Sequence, residues 1–140
     1  MARFHPDEAP ADAPSSEKKV RSALAILDGQ WHVFHSVAWQ APRAGREGDG
    51  EADFILLHPR HGLLVLEVKG GRIEVGEGRW WSVDRKGVRH TFKDPFRQAT
   101  ASKHALLRYL RDIRELDAIP DVHHAVVFPD VVLTEGIGLN

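Results

Sequence analysis

The chain has 140 residues, 42% of them apolar and 28% charged, with a formal net charge of −1. That is enough for one domain with a single core, which buries roughly 68–70% of its unfolded surface and folds without a disulfide or structural metal. The absence of cysteine excludes a disulfide scaffold, a thiolate zinc site, an iron–sulfur cluster and a cysteine nucleophile, and no apolar run approaches the roughly 18 residues of a membrane span.

Residues 1–14 are rich in Pro, Ala and Asp, lack periodicity and predict a disordered arm ahead of a domain over 15–140. They contain no apolar signal-peptide core, so a cytoplasmic protein without membrane association is expected. Ser15 and Ser16 offer N-cap oxygens to a helix over Glu17–Asp28, with Val20, Ala23, Leu24 and Leu27 on its apolar face and Gly29 beyond its end. Val33–Trp39 is β-branched and aromatic, a strand. After the Gly- and charge-rich loop Ala41–Gly50, two apolar strands, Ala52–Leu57 and Leu63–Lys69, flank a turn centred on Arg60. Short strands follow at Arg72–Val75, Arg79–Val83 and Val88–Phe92, the last two joined by a turn at Asp84–Gly87 and read as an inserted hairpin. Asp94-Pro95 starts a helix that should reach about Leu116, with Leu106, Leu110 and Ile113 as its stripe. Val122–Phe128 predicts a buried strand, and Glu135–Asn140 closes without a clear element, as expected of a piece of a longer protein. The order is helix, three strands, long helix, strand, hence a mixed α/β sheet flanked by helices.

Charge is unevenly spread. Residues 79–110 carry 8 basic and 2 acidic side chains, whereas 1–78 carry 9 and 12 and 111–140 carry 2 and 6. A basic middle in a neutral chain suits an anionic partner such as nucleic acid, or simply a solvated Arg-rich helix face. Trp80 and Trp81 lie within it, and strand alternation should bury at least one of them.

The stretch Glu51–Gly70 is chemically out of place. Pairing Leu57 with Leu63 sets Asp53 opposite Glu67 and Glu51 opposite Lys69, all on one strand face at one end of the hairpin. Like charges directly opposite are destabilising. A raised pKa relieves them, or a divalent cation between them does, and oxygen ligands suit Mg²⁺, Mn²⁺ or Ca²⁺. Lys69 beside such a site implies an anionic substrate, and a phosphodiester fits. The plainer alternative is a Glu51–Lys69 ion pair with Asp53 and Glu67 solvated at a sheet edge. The nine histidines form no zinc spacing, and no nucleotide-binding phosphate loop is present.

Asp53 and Glu67-Val68-Lys69 resemble the PD-(D/E)XK nuclease signature. With the SEKKV helix before and DPFRQATASKHALLRYL after, the string EADFILLHPRHGLLVLEVKGG resembles the NERD (nuclease-related domain) family from about Ser15 to Phe128. The resemblance implies an αβββαβ core. It implies that Asp53, Glu67, the Val68 carbonyl and Glu17 hold Mg²⁺ or Mn²⁺, that Lys69 acts on the attacking water, and that Gln98 is the helix Gln of the RecB-like branch. Two departures stand out: Ser102 occupies the turn where that branch often carries Tyr, and Ala52-Asp53 replaces the literal Pro-Asp. Beside such a site, Arg79, Trp81, Arg85, Lys86, Arg97 and Lys103 become candidates to hold nucleic acid. The implied function is a metal-dependent nuclease acting on DNA (or RNA) in DNA processing or repair, in a family often fused to helicase or kinase domains; oligomeric state is left open, since many nucleases of this fold form homodimers. A catalytically silent nucleic-acid-binding module and a protein-interaction domain with an incidental acidic cluster are the alternatives.

Overall fold

The computed structural model describes residues 1–40, 49–112 and 117–131. Its elements are β1 (Arg3–His5), α1 (Ser15–Leu24), β2 (His32–Trp39), β3 (Gly50–His58), β4 (Gly62–Val68), β5 (Arg72–Gly76), β6 (Arg79–Val83), β7 (Arg89–Phe92), α2 (Pro95–Arg111) and β8 (Val122–Val127). One mixed five-stranded sheet has the order β1-β2-β3-β4-β8, and β5-β6-β7 form a separate three-stranded sheet. The β2–β3–β4 pairs are antiparallel, whereas β1 joins β2 and β8 joins β4 in parallel.

The apolar runs of β3 and β4 are continuous rather than alternating because both faces of these central strands are covered. On one face Phe54, Leu56, Leu66 and Val68 pack with Val33 of β2 and Val20 of α1. On the other, Ile55, Leu63 and Val65 pack with Ala105 and Leu106 of α2 and Val122 of β8. Phe54 is fully buried, a position where truncation to alanine typically costs about 3–5 kcal/mol.

Several expectations need correction. Residues 1–14, expected as a disordered arm, contain a paired strand: Arg3–His5 extends the sheet beside β2, and Ala2 is buried. The first helix begins at Ser15 with Pro14 at its N-cap, so neither serine caps it, and it stops at Leu24 rather than Asp28. The first intrahelical bond runs from Lys18 N–H to the Pro14 carbonyl, and no side chain caps the amides ahead of it. The inserted hairpin is a three-stranded sheet. β8 is an edge strand with exposed His123 and His124, not a buried one. Neither tryptophan of β6 is buried; both are half-buried, because this small sheet is covered only in part. The long helix starts as expected, with the Asp94 carboxylate accepting from Phe96 N and Arg97 N. Its apolar residue Ile113, the end expected near Leu116, most of the loop 41–50 and the last residues 135–140 lie outside the described residues.

Candidate active site

The hairpin register follows the sequence reading for part of its length. Leu57 pairs with Leu63 and Phe54 with Leu66, but the ladder ends there. Glu51 pairs with Ala38 of β2, and Lys69 N–H donates to Val127 O of β8 at 3.0 Å. Because the β3–β4 ladder stops at Phe54↔Leu66, neither the expected Asp53–Glu67 pair nor the expected Glu51–Lys69 pair forms part of it.

A kink explains why. Ser36 has φ of 59°, a left-handed conformation that is uncommon outside glycine. The β2–β3 register runs from His35↔Phe54 to Val37↔Ala52 with no pairing between Ser36 and Asp53. Phe34 and Ile55 face α2, and Val37 and Ala52, three residues along each strand, face it again. Strict alternation would turn Val37 and Ala52 the other way. One residue in each strand is absorbed at this point, which frees Asp53 from the regular pleat. Its Oδ2 accepts from Val68 N at 2.8 Å. Asp53 consequently borders two small cavities. One, about 160 Å³, is shared with Glu51, Glu67 and Gln98. The other, about 110 Å³, is shared with Glu17, His35 and Asp12.

Glu67 is 4% exposed, and its Oε1 lies 3.5 Å from Lys69 Nζ. Burial first, and the Asp53 charge second, push its carboxyl up to about 7 against the pull of Lys69. Asp53 is also raised, chiefly by burial and then by Glu17, with the Val68 N–H opposing. These two carboxylates are held together without enough positive charge to offset their desolvation. The Lys69 ammonium also lies 5.3 Å from the centre of the Phe92 ring, a cation–π contact that aims it across the site.

Glu17, in the first turn of α1, reaches the edge of this group but is turned to His35, whose Nε2 is 3.0 Å from Glu17 Oε1. His35 Nδ1 faces Arg21 Nη1 at 3.3 Å. Arginine only donates, so Nδ1 accepts and Nε2–H donates to Glu17, which settles the tautomer. The ring stacks on Phe54 at 4.2 Å, and Arg21 is itself anchored by the Pro6 and Asp7 carbonyls at 2.7 Å each. Sequence spacing missed His35. Its only signal was parity: it shares a face with buried Val33, where an apolar residue belongs. The start of α1 is seated by the close approach of Gly70, where a Cβ would lie 2.6 Å from Ser16 Cβ. A Lys19–Asp130 ion pair adds to this, as does the Gly71 N–H donated to Asp130.

The chemistry of the donor set fits a hard divalent cation in part. Asp53 and Glu67 supply carboxylate oxygens, and such ions commonly bind one or two carboxylates and keep several waters. Among the described residues no three His, Cys, Asp or Glu side chains are grouped closely enough to hold a metal by themselves. The expected three-carboxylate set is thus not assembled, because Glu17 is committed to His35.

The expected nucleic-acid residues divide. Arg79 and Arg97 line a large cavity of about 1020 Å³ that has Gln98 in its wall. Trp81 lies away from it, its ring covered by the Arg89 guanidinium at 4.2 Å; Trp80 lines the cavity instead. Arg85 is near enough to Asp130 to help lower its pKa. Lys86 sits in the β6–β7 turn, and Lys103 lies beside His124. These three and Trp81 do not converge with Arg79 and Arg97.

A family model described as nuclease-related domain (NERD) matches residues 15–129. No curated protein and no solved structure matches the chain.

Proposed function

From the premise that the chain belongs to the nuclease-related domain family, we propose that it hydrolyses phosphodiester bonds of DNA with a divalent cation, Mg²⁺ or Mn²⁺. The observation that carries this reading is the meeting of buried Glu67 and half-buried Asp53 at one small cavity, with Lys69 3.5 Å from Glu67. In this reading α1, β2–β4, α2 and β8 are the αβββαβ core of a PD-(D/E)XK nuclease, and β5–β7 are an insertion.

Asp53 and Glu67 hold the cation, with the Val68 carbonyl as a further oxygen. When bound, the cation supplies Lewis-acid stabilisation of the phosphoryl charge and a more acidic water. Its charge also removes the cost of keeping both carboxylates ionised, which explains why so unfavourable a pair is built. Lys69 orients the attacking water and offsets negative charge developing on the phosphate. Gln98, in the wall of the same cavity, positions the substrate. Glu17, fixed by His35, contributes through a bridging water. DNA processing or repair in the cytoplasm alongside a helicase is the setting we favour.

A silent nucleic-acid-binding module is the second reading, favoured by the commitment of Glu17 to His35. The two are separated by incubating the full chain with labelled single- and double-stranded DNA in Mg²⁺, Mn²⁺ or EDTA. Cleavage that needs metal and vanishes in Asp53→Ala/Glu67→Ala is expected. Binding without cleavage in any metal selects the silent module.

A further inference from the structure

We propose that the large cavity between the accessory sheet and α2 is a groove for single-stranded nucleic acid that feeds the carboxylate site. The proposal rests on the phosphodiesterase reading and names the form of its substrate. The cavity, about 1020 Å³, is walled by Arg79 and Trp80 of β6, Phe92 and Lys93 at the end of β7, and Arg97 and Gln98 of α2.

Its charge is unbalanced. Arg79, Lys93 and Arg97 are exposed, and among the described residues neither Arg79 nor Lys93 has an ion-pair partner. Among the described residues the one acid in the wall, Asp94, accepts from the first amides of α2 through Oδ1 and lies 3.9 Å from Arg97 through Oδ2. An anionic chain is the complementary occupant.

Trp80 supplies a platform. Phe92, Phe96 and Phe128 hold its ring at 6.0, 5.7 and 6.2 Å between centroids, and the half-buried ring lines the cavity. A braced indole beside unpaired cations suits a strand whose bases are free to stack. In a duplex the base faces are already stacked on one another, so the indole has nothing to take.

The groove adjoins the carboxylate cavity. Gln98 borders both cavities, and Lys69 lies between Phe92 in the groove wall at 5.3 Å and Glu67 at 3.5 Å. A strand lying along Arg79 and Lys93 therefore delivers its next phosphate to Lys69.

The test is fluorescence anisotropy in EDTA, using the full chain, a labelled oligothymidine of roughly ten nucleotides and a duplex of equal length. The oligothymidine is expected to bind more tightly than the duplex. Arg79→Ala/Lys93→Ala, two exposed positions that leave the core intact, is expected to weaken it roughly tenfold or more and to make the salt slope shallower by about 1.4, or ~0.7 for each phosphate no longer neutralised. Oligothymidine binding should quench indole fluorescence in the wild type, and Trp80→Phe should remove that quenching. Arg60→Ala/Arg111→Ala, which removes the same charge outside the groove, controls for general electrostatics. Equal weakening in that control, no weakening in the groove variant, unchanged quenching in Trp80→Phe, or a duplex bound as tightly as the single strand would overturn the groove. Because EDTA removes cleavage from the readout, single-strand binding through Arg79 and Lys93 without cleavage in any metal overturns the nuclease reading alone.

Discussion

Replacing Glu67 by glutamine is expected to stabilise the metal-free protein at neutral pH while ending its proposed chemistry. Glu67 is buried, and burial together with Asp53 pushes its carboxyl up to about 7. In the unfolded chain a glutamate titrates near ~4.3. Between those values the folded state holds the proton more tightly, so stability falls as pH rises through the window and levels off above it. At about 1.36 kcal/mol per pH unit, the loss by pH 8 is about 3–4 kcal/mol. Glutamine has the shape of the protonated acid and incurs none of it. Urea unfolding of both proteins in EDTA should therefore give a difference in favour of the variant of about 1 kcal/mol at pH 5, rising to about 3–4 kcal/mol at pH 8. Taking the difference cancels the contributions of groups that the substitution leaves unchanged. Mg²⁺ should then restore stability to the wild type and not to the variant, by about 2.7 kcal/mol at a hundred times its Kd. A difference that is the same at both pH values, or a variant less stable at pH 8, would refute the account of Glu67 as a strained buried carboxyl.

Two further outcomes follow from the surroundings of the site. His35→Gln removes the ring that accepts from Arg21 and donates to Glu17. Freeing a carboxylate from the hydrogen bond that orients it should weaken Mn²⁺ binding roughly 10–100-fold in calorimetry, and unchanged affinity would leave Glu17 without a part in holding the ion. Gly70→Ala places a methyl 2.6 Å from Ser16 Cβ, so α1 must shift; urea unfolding should show a loss of about 1–3 kcal/mol, and wild-type stability would mean that the helix start is not seated there.

The elements were largely legible because their signals are local. The β-branched run of β2, the Gly62 turn, and the Asp94-Pro95 start of α2 each depend on residues adjacent in the chain. The long-range pairings were less so. β1 looks like a disordered arm because three residues carry no periodicity; they become a strand only because β2 offers an unpaired edge. The exposure of β8 is likewise set by its place at the end of the sheet. The hairpin register was correct from Leu57↔Leu63 to Phe54↔Leu66 and failed beyond it. There the left-handed Ser36 breaks the alternation that period-2 counting assumes, and nothing about a serine in VFHSVAW announces a positive φ.

By itself, the sequence determined the class of fold, the family and the chemical oddity of Asp53, Glu67 and Lys69 in an apolar hairpin, because composition, local periodicity and motif spacing all lie along the chain. Only the tertiary structure decided which groups meet. It turned Asp53 onto the Val68 amide, gave Glu17 to His35 rather than to the other carboxylates, and put Trp80 rather than Trp81 in the wall of the large cavity. Those outcomes depend on a backbone kink, on a helix seated against Gly70 and on which face of a small sheet meets α2. Each is a balance of packing and desolvation between segments far apart in sequence, which local pattern does not encode.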